Sequence, residues 1–332
     1  MRILRGERIL VTGASGFTGG HLCQRLAEAG YTVRGLVRDV TRATILRNFG
    51  VEIVTGDLRD ADSLKRAVTG TDIVYHLAAI YRQANVSRKE MWAVNVEGTR
   101  KLLDAAVGAD VRRFVHCSSI GVHGGIKNAP ANEETPYGPG DDYQHSKAEG
   151  ERVALQYMAA GRLPVVVFRP AGIYGPHDLR FLKLFRAIKK RRFIMLGSGN
   201  ITYHLVYIDD LVDGILLCGT KENSVGHVYI LAGDAPVTLN DFVDTIAEAF
   251  GVRPPRLRFP VAPVYLAGFL CELLCRPFGV NPPLYRRRVD FFRKNRAFDS
   301  SKAKRELGFE PKTDLKTGIS LTAEWYQKEG LL

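Results

Sequence analysis

The stretch VTGASGFTGGHL, Val11 to Leu22, decides how the rest of the chain is read. It closes an apolar run, Ile9-Leu10-Val11, and sets glycines at positions 13, 16 and 19 ahead of a helical pattern. Glycines alone mark ordinary turns. Here a strand ending at Thr12 runs straight into them, and a helix opening at Gly16 aims its first N–H groups and the positive end of its dipole at the turn. Gly13 permits the tight turn, Gly16 lets a phosphate come close to backbone, and Gly19 lets helix pack on strand. Ser15, Phe17 and Thr18 complete the loop. The reading is a pyrophosphate cradle, with a plain strand-to-helix turn as the alternative.

Outward from this turn, strand-length apolar runs at Arg8–Thr12, Thr32–Val37, Glu52–Thr55, 72–76, Arg113–Cys117 and 165–168 alternate with helical patterns over 16–29, 60–68, 90–107 and 143–160. Such alternation implies right-handed crossovers and a parallel sheet covered on both faces. This is a doubly wound α/β fold of the Rossmann type, with its binding crevice at the carboxyl ends of the strands. After about Pro170 the rhythm loosens, with helices expected at 209–218, 239–250 and 315–329. The expected organisation is a dinucleotide-binding Rossmann domain over 1–170 and a smaller, mixed α/β C-terminal substrate domain over 171–332, with segments near 204–232 returning to the Rossmann core.

The 332 residues are 45% hydrophobic and 25% charged, as in ordinary globular chains. No apolar leader precedes the first strand, so a cytoplasmic location is expected. Cysteines 23, 117, 218, 271 and 275 are odd in number and scattered, and the 271/275 pair has no histidine beside it. Reduced packing thiols are expected, and no metal site. The net charge of +12 is uneven: ten Lys or Arg face two acids, Glu272 and Asp290, between Arg253 and Arg296. Basic charge without aromatics interleaved on one face does not make a nucleic-acid site, so none is expected. The apolar segment FPVAPVYLAGFLCELLC, 259–275, contains two prolines and Glu272 and is shorter than the roughly 20 residues a membrane span needs. It reads as a buried or surface-docking helix.

In dinucleotide-binding units an acid about 20 residues past the glycines grips the ribose 2′-hydroxyl of NAD. That strand-end position falls on Val37, followed by Arg38 and Arg42. A missing carboxylate removes repulsion against a 2′-phosphate, and a guanidinium binds one bidentately. NADP(H) is favoured, with NAD(H) the alternative; in the simpler reading both arginines are solvated. Further on, FVHCSSIGVHG ends a strand at Ser119, and YQHSK sets Tyr143 and Lys147 one helical turn apart. An ammonium beside a phenol lowers its pKa from about 10 toward the range useful for acid/base catalysis.

With these motifs together, the chain resembles the short-chain dehydrogenase/reductase superfamily in its extended, epimerase/dehydratase-like branch. The resemblance runs through TGASGFTG (12–19), GDL (56–58), HLAA (76–79), Asn95 in VNVEGT, Ser119, Tyr143, Lys147, RPAGIYGP (169–176) and VYIDDLVDGI (206–215). It implies that Asp57 and Leu58 border the adenine, that Ala78, Ala79, Pro170 and Ile173 line the cofactor, and that Ile173 meets the nicotinamide amide through backbone. It further implies that Asn95 holds a water in a proton relay, while Ser119, Tyr143 and Lys147 form the catalytic group. Asp57 as a turn cap and Asn95 as a hydrogen bonder within its helix are the simpler readings. Pairing of two copies through the helices at 90–107 and 143–160 is also implied.

Departures from the family pattern narrow the reaction. Sugar-nucleotide dehydratases have an Asp-Glu pair after the catalytic Ser or Thr, and here Ile120-Gly121 stands there. Gly172 replaces an Asn common in nucleotide-sugar epimerases, and Tyr203 followed by His204 stands where such enzymes often have an Arg for diphosphate. The chain looks more like the dihydroflavonol-reductase and 3β-hydroxysteroid-dehydrogenase side, whose steroid-type members can contact membranes, here through 259–296 around Arg286, Arg287 and Arg288. The expected activity is hydride transfer between nicotinamide and a secondary alcohol or ketone of a bulky small molecule. Tyr81, Arg82, His123 and Tyr203, with His177, are placed near substrate by the resemblance. The alternatives are a nucleotide-sugar epimerase or keto-sugar reductase, in which Arg82 or Arg180 replaces the missing contacts, and a dinucleotide-sensing regulator.

Overall fold

The computed structural model describes residues 6–81, 86–126, 128–275 and 282–332. Arg82, the side chain of Arg287 and part of the 259–296 segment lie outside the described residues. In chain order the strands are β1 (Arg8–Thr12), β2 (Thr32–Val37), β3 (Glu52–Thr55), β4 (Ile73–His76), β5 (Arg113–Cys117), β6 (Val165–Pro170), β7 (Gly172–Tyr174), β8 (Met195–Leu196), β9 (Thr202–Tyr203), β10 (Leu205–Tyr207), β11 (Val228–Leu231), β12 (Val237–Thr238) and β13 (Arg258–Phe259). Seven of them form one parallel sheet in the order β3-β2-β1-β4-β5-β6-β11. The order reverses between β1 and β4, which opens the crevice at their carboxyl ends. Register there is tight: Thr12 lies beside Leu36 on one side and His76 on the other.

Helices cover both faces: α1 (Phe17–Glu28) and α8 (Ile208–Thr220) one side, α3 (Ala61–Val68), α5 (Thr99–Gly108) and α6 (Asp142–Ala159) the other. The period-two alternation of a strand sorts β1 between two cores. Ile9 and Val11 join Leu22, Cys23 and Leu26 of α1, whereas Leu10 joins Leu64 of α3 and Leu102 and Leu103 of α5. Truncating Leu22 or Leu26, both fully buried, to alanine costs about 2–5 kcal/mol at sites of this kind.

The remaining chain packs on the carboxyl side of the sheet. β7 and β10 pair beyond β6, and α7 (Leu182–Lys189), α9 (Leu239–Ala249) and α13 (Leu315–Lys328) cluster with them around Phe185, Phe242 and Tyr326. The strand β11 brings the chain back to the main sheet beside β6. The apolar segment forms a helix, Val261–Cys275, of which Gly268 alone is buried, while Leu266, Leu270, Leu273 and Leu274 are 57%, 47%, 56% and 68% exposed. Among the described residues no helix is long and apolar enough to cross a membrane.

Candidate active site

The glycine turn has the shape of a phosphate cradle. Gly13 adopts φ 71°, and a Cβ there would lie 2.8 Å from the Ala78 nitrogen; a Cβ at Gly19 would lie 2.1 Å from the Gly13 carbonyl oxygen. Both approaches exclude any larger residue. Gly16 caps α1 without a side chain accepting from its first turn, so the N–H groups at the helix start, around Phe17, Thr18 and Gly19, are left for an anion. The Ala78 N–H donates to Thr12 Oγ1 at 3.2 Å, which holds Ala78 and Ala79 beside the turn. These features fit a dinucleotide diphosphate.

At the end of β2, Val37 is buried and Arg38 and Arg42 are exposed, Arg42 lying 3.8 Å from Asp39. Asp39, passed over in the sequence, turns its carboxylate to its own loop, accepting from the Thr41 N–H and hydroxyl at 2.9 and 2.6 Å. Asp57 is bound by Arg59 at 3.0 and 2.7 Å; these hydrogen bonds lower its carboxyl below the usual range, and the Arg38 charge acts in the same direction. Leu58 is buried against Gly98, where a Cβ would meet its own at 2.7 Å.

Asn95 lies not in a regular helix but in a π-helical turn, Ala93–Gly98, between α4 (Arg88–Trp92) and α5. Such turns carry one extra residue and often sit at functional sites. Asn95 is buried; its Oδ1 accepts from the Ile80 N–H at 2.7 Å, and its Nδ2 donates to the Ile80 carbonyl and to Ser146 Oγ at 3.0 and 2.9 Å. Thr99 spends its hydroxyl hydrogen on the Asn95 carbonyl at 2.8 Å, so His76 Nε2, 3.0 Å away, donates to that hydroxyl, and Nδ1 accepts from Thr12 Oγ1 at 2.8 Å. His76 is therefore neutral. Burial and the Lys147 charge depress its pKa to about 3.

Ser119 follows β5 and caps the short helix Ile120–His123, its Oγ accepting from the Gly121 N–H at 3.0 Å. Tyr143 and Lys147 occupy the first turns of α6, which Asp141 caps through the Gln144 N–H. Lys147 is buried, donates to the Cys117 carbonyl, and is pushed below the usual lysine range by desolvation. The Tyr143 ring meets Tyr81 edge to face at 5.0 Å. The fold thus gathers Ser119, Tyr143, Lys147, Asn95 and Tyr81 at one end of the sheet.

His123 and Tyr203 are engaged inside the protein. His123 accepts from Arg169 Nη1 at 3.0 Å, so its other nitrogen, 3.4 Å from the Pro136 carbonyl, carries the proton. Behind it lies a buried network in which Glu151 takes hydrogen bonds from Arg169, Ser118 and Tyr137. Burial opposes the Glu151 charge, but these donors and the Arg169 charge outweigh it and hold the carboxyl low. Tyr203 donates to the Phe291 carbonyl at 2.7 Å and accepts from Arg296 at 2.6 Å. His204 is likewise occupied, by the Gly233 carbonyl and the Phe298 N–H at 2.9 and 3.3 Å. His177, at φ 72°, packs its ring 4.7 Å from Trp325. Pro170 ends β6 opposite Leu231, and the Ile173 carbonyl accepts from Arg180 at 2.7 Å.

A model of the family described as NAD dependent epimerase/dehydratase matches residues 9–232, from within β1 to just past β11. The chain belongs to the NAD dependent epimerase/dehydratase family. Two relatives are a 3beta-hydroxysteroid-dehydrogenase/decarboxylase (isoform 1) of Arabidopsis thaliana, 30% identical over 98% of this chain and 81% of the relative, and a 4-hydroxy-2-methyl-3-oxo-4-farnesyl-3,4-dihydroquinoline-1-oxide ketoreductase of Stigmatella aurantiaca, 30% identical over 94% of each. Among solved structures, MoeE5 in complex with UDP-glucose and NAD matches with a TM-score of 0.77 at 26% identity, over 97% of this chain and 99% of that one. The epimerase/dehydratase family thus includes both dehydrogenases and sugar-nucleotide enzymes among the relatives of this chain.

Within this family frame, some groups around the site gave no signal in the sequence. The Glu151–Arg169 pair joins residues 18 apart on different elements, and no local spacing announces it. Arg180 was legible only as a spare cation, not as a group bonded to the Ile173 carbonyl.

Proposed function

We propose that this chain is an oxidoreductase that interconverts a secondary alcohol and a ketone on a bulky, largely apolar small molecule and favours NADP(H). The observation that carries this reading is the internal engagement of Tyr203, His204 and Arg296. By the resemblance, Tyr203 and His204 stand where sugar-nucleotide enzymes often have an Arg for diphosphate, and Arg296, which reaches Tyr203 from a later segment, spends donors on the Tyr203 hydroxyl and on the Lys294 and Asp290 carbonyls. A diphosphate arm finds no ready receptor there. The relatives named for steroid and farnesyl-quinoline substrates favour the same class.

When bound, the nicotinamide cofactor supplies or accepts the hydride. Tyr143 exchanges the proton with the reacting oxygen, and Ser119 donates a hydrogen bond to that oxygen. Lys147, fixed by the Cys117 carbonyl, favours the ionised phenol and holds the ribose. Asn95 positions Ile80 against α6. Arg38 and Arg42 take the 2′-phosphate. Titration with NADPH and NADH by fluorescence, with UDP as a probe of the substrate side, tests the reading. Tighter NADPH binding and a melting temperature unmoved by UDP support it; tighter NADH binding or strong stabilisation by UDP moves the epimerase reading to the front.

We also propose that the helix Val261–Cys275, α10, rests on an anionic lipid surface. Its exposed leucines are continued by Leu257, Phe259 and Ile194 along the paired strands β13 and β8, and exposed Arg191, Arg192, Arg256 and Arg258 border them. Apolar area flanked by cations is the composition of an interfacial helix. Vesicles containing phosphatidylglycerol are expected to co-sediment the protein in a salt-sensitive way; equal sedimentation with phosphatidylcholine alone, or none, removes the proposal. Pairing of two copies through the outer faces of α5 and α6 is proposed on the resemblance, and light scattering at the size of one chain overturns it.

A further inference from the structure

Two consecutive residues at the end of β5 are fastened to two consecutive turns of α6. The Cys117 carbonyl accepts from Lys147, and the Ser118 hydroxyl donates to Glu151 Oε2. Tyr143, Lys147 and Glu151 are spaced four apart on α6, so their side chains share one face of the helix. On its other side Ser118 is held by β6, its backbone N–H donating to the Phe168 carbonyl at 2.8 Å. Ser119 is the next residue, and its Oγ accepts from the Gly121 N–H at 3.0 Å.

Glu151 is itself immobilised. Arg169 reaches it through Nε at 3.1 and 3.2 Å and through Nη2 at 2.5 Å, with both side chains enclosed. The remaining Arg169 donors go to His123 Nε2 and the Glu133 carbonyl, both at 3.0 Å, and to the Tyr137 hydroxyl at 3.5 Å; that hydroxyl donates to Glu151 Oε1 at 2.7 Å. His123 ends the short helix that Ser119 caps, and Glu133 and Tyr137 lie in the loop that leads on to Tyr143. One guanidinium therefore secures the carboxylate and both arms of the segment between Ser119 and Tyr143. A buried ion pair adds little stability over apolar packing of the same volume, so where it holds its neighbours is the more informative property.

We propose that Glu151 is a positioning residue for the reaction: through the Ser118 hydroxyl it sets where Ser119 stands against the helix face that carries Tyr143 and Lys147. The inference rests on the reading of Ser119 as the donor to the reacting oxygen. An oxygen met by Ser119 and Tyr143 together needs both groups at hydrogen-bond distance from one point, and a displacement of about 1 Å costs on the order of a hundredfold in rate. The Lys147 bond fixes the strand end at its backbone. The Glu151 bond fixes the following residue by its side chain, and with it the direction in which the chain leaves toward Ser119.

Glu151→Gln strips Arg169 of its counter-charge, so the role is tested in Ser118→Ala, which keeps the ion pair. With NADPH and the steroid ketone androstanedione as probes, Ser118→Ala is expected to lower kcat by about ten- to a hundredfold, while KM and the Kd for NADPH stay within about twofold of the parent values. In the Ser119→Ala background the same substitution is expected to cost little more, because Ser118 acts through the hydroxyl already removed. A parent-like kcat in folded Ser118→Ala overturns the proposal. So does an equal fold-loss with and without the Ser119 hydroxyl, which would mark a general loosening instead. A parent chain that reduces neither this ketone nor other bulky apolar ketones overturns the reading of the site on which the inference rests, so the two failures are distinguishable.

Discussion

Lys147 donates its ammonium hydrogen to the carbonyl of Cys117, the last residue of β5, so the helix that carries Tyr143 is tied to the strand that delivers Ser119 two residues later. The group proposed as catalytic, Ser119, Tyr143 and Lys147, is therefore tied together by a side chain-to-backbone bond across 30 residues. Replacing Lys147 with methionine removes that tie and the charge beside the phenol together. Turnover of an accepted ketone is expected to fall by about 10²–10⁴-fold, and Tyr143→Phe to fall at least as far. Steady-state rates by nicotinamide absorbance check this, with circular dichroism confirming that both variants fold.

The buried pair Glu151–Arg169 lies directly behind this assembly, with both side chains almost fully enclosed. Glu151→Gln leaves Arg169 without a counter-charge, and the expected loss is about 3–5 kcal/mol in urea unfolding. Replacing both residues with methionine is expected to cost clearly less than the sum of the single losses, because no lone charge then remains in the interior. Additive losses in that double-mutant comparison would show that the two do not act as a pair.

The histidines set an acid limit. Burial, followed by the nearby Lys147 charge, depresses His76 to about 3 and His116 well below its ordinary value. Neither ring nitrogen of His116 has a hydrogen-bond partner among the described residues. An unfolded chain takes up a proton at each ring near pH 6.5, whereas the folded chain resists. The stability they confer is thus complete above about pH 6.5 and is lost as the pH falls toward the folded values, by on the order of 1.4 kcal/mol per pH unit for each ring. Urea midpoints measured at about pH 8 and about pH 5.5 should differ accordingly, and His116→Phe should flatten the slope. A midpoint that holds steady over this range would be inconsistent with buried neutral rings.

At the ribose end, Arg38→Ala and Arg42→Ala are each expected to weaken NADPH binding by about tenfold or more and to leave NADH binding nearly unchanged, since a charge-assisted bond to phosphate is worth about 1.5–3 kcal/mol. Parallel loss of both cofactors would instead mean that these arginines shape the loop. Isothermal titration with the two reduced cofactors separates the outcomes.

Much of this architecture was legible because it is local. The bounds of β1, β2 and β3 follow from apolar runs ended by glycine or charge, that of β5 from a run ended by the serines 118 and 119, and α1, α6, α8, α9 and α13 fall within a residue or two of their helical patterns. The π turn was not legible, because the apolar pattern over 90–107 continues on both sides of it while one extra residue is absorbed. Nor was the fate of His123, Tyr203 and His204 legible: their partners, Arg169, Phe291, Arg296, Gly233 and Phe298, come from distant segments that only the folded chain brings near. For the helix Val261–Cys275, a largely apolar composition interrupted by Glu272 suits an interior as well as a surface, and the structure places it outside.

The π turn has one more consequence. At one end Gly98 leaves no room between itself and Leu58, and near its middle the Asn95 carbonyl is pressed against Gly150 of α6, where a Cβ would lie 2.5 Å from the oxygen. A single run of six residues therefore touches both the side chain expected beside the adenine and the helix that bears the tyrosine and lysine. One stretch of backbone therefore sets the spacing on two sides at once: a side chain larger than hydrogen at Gly98 or at Gly150 would push against the same six residues.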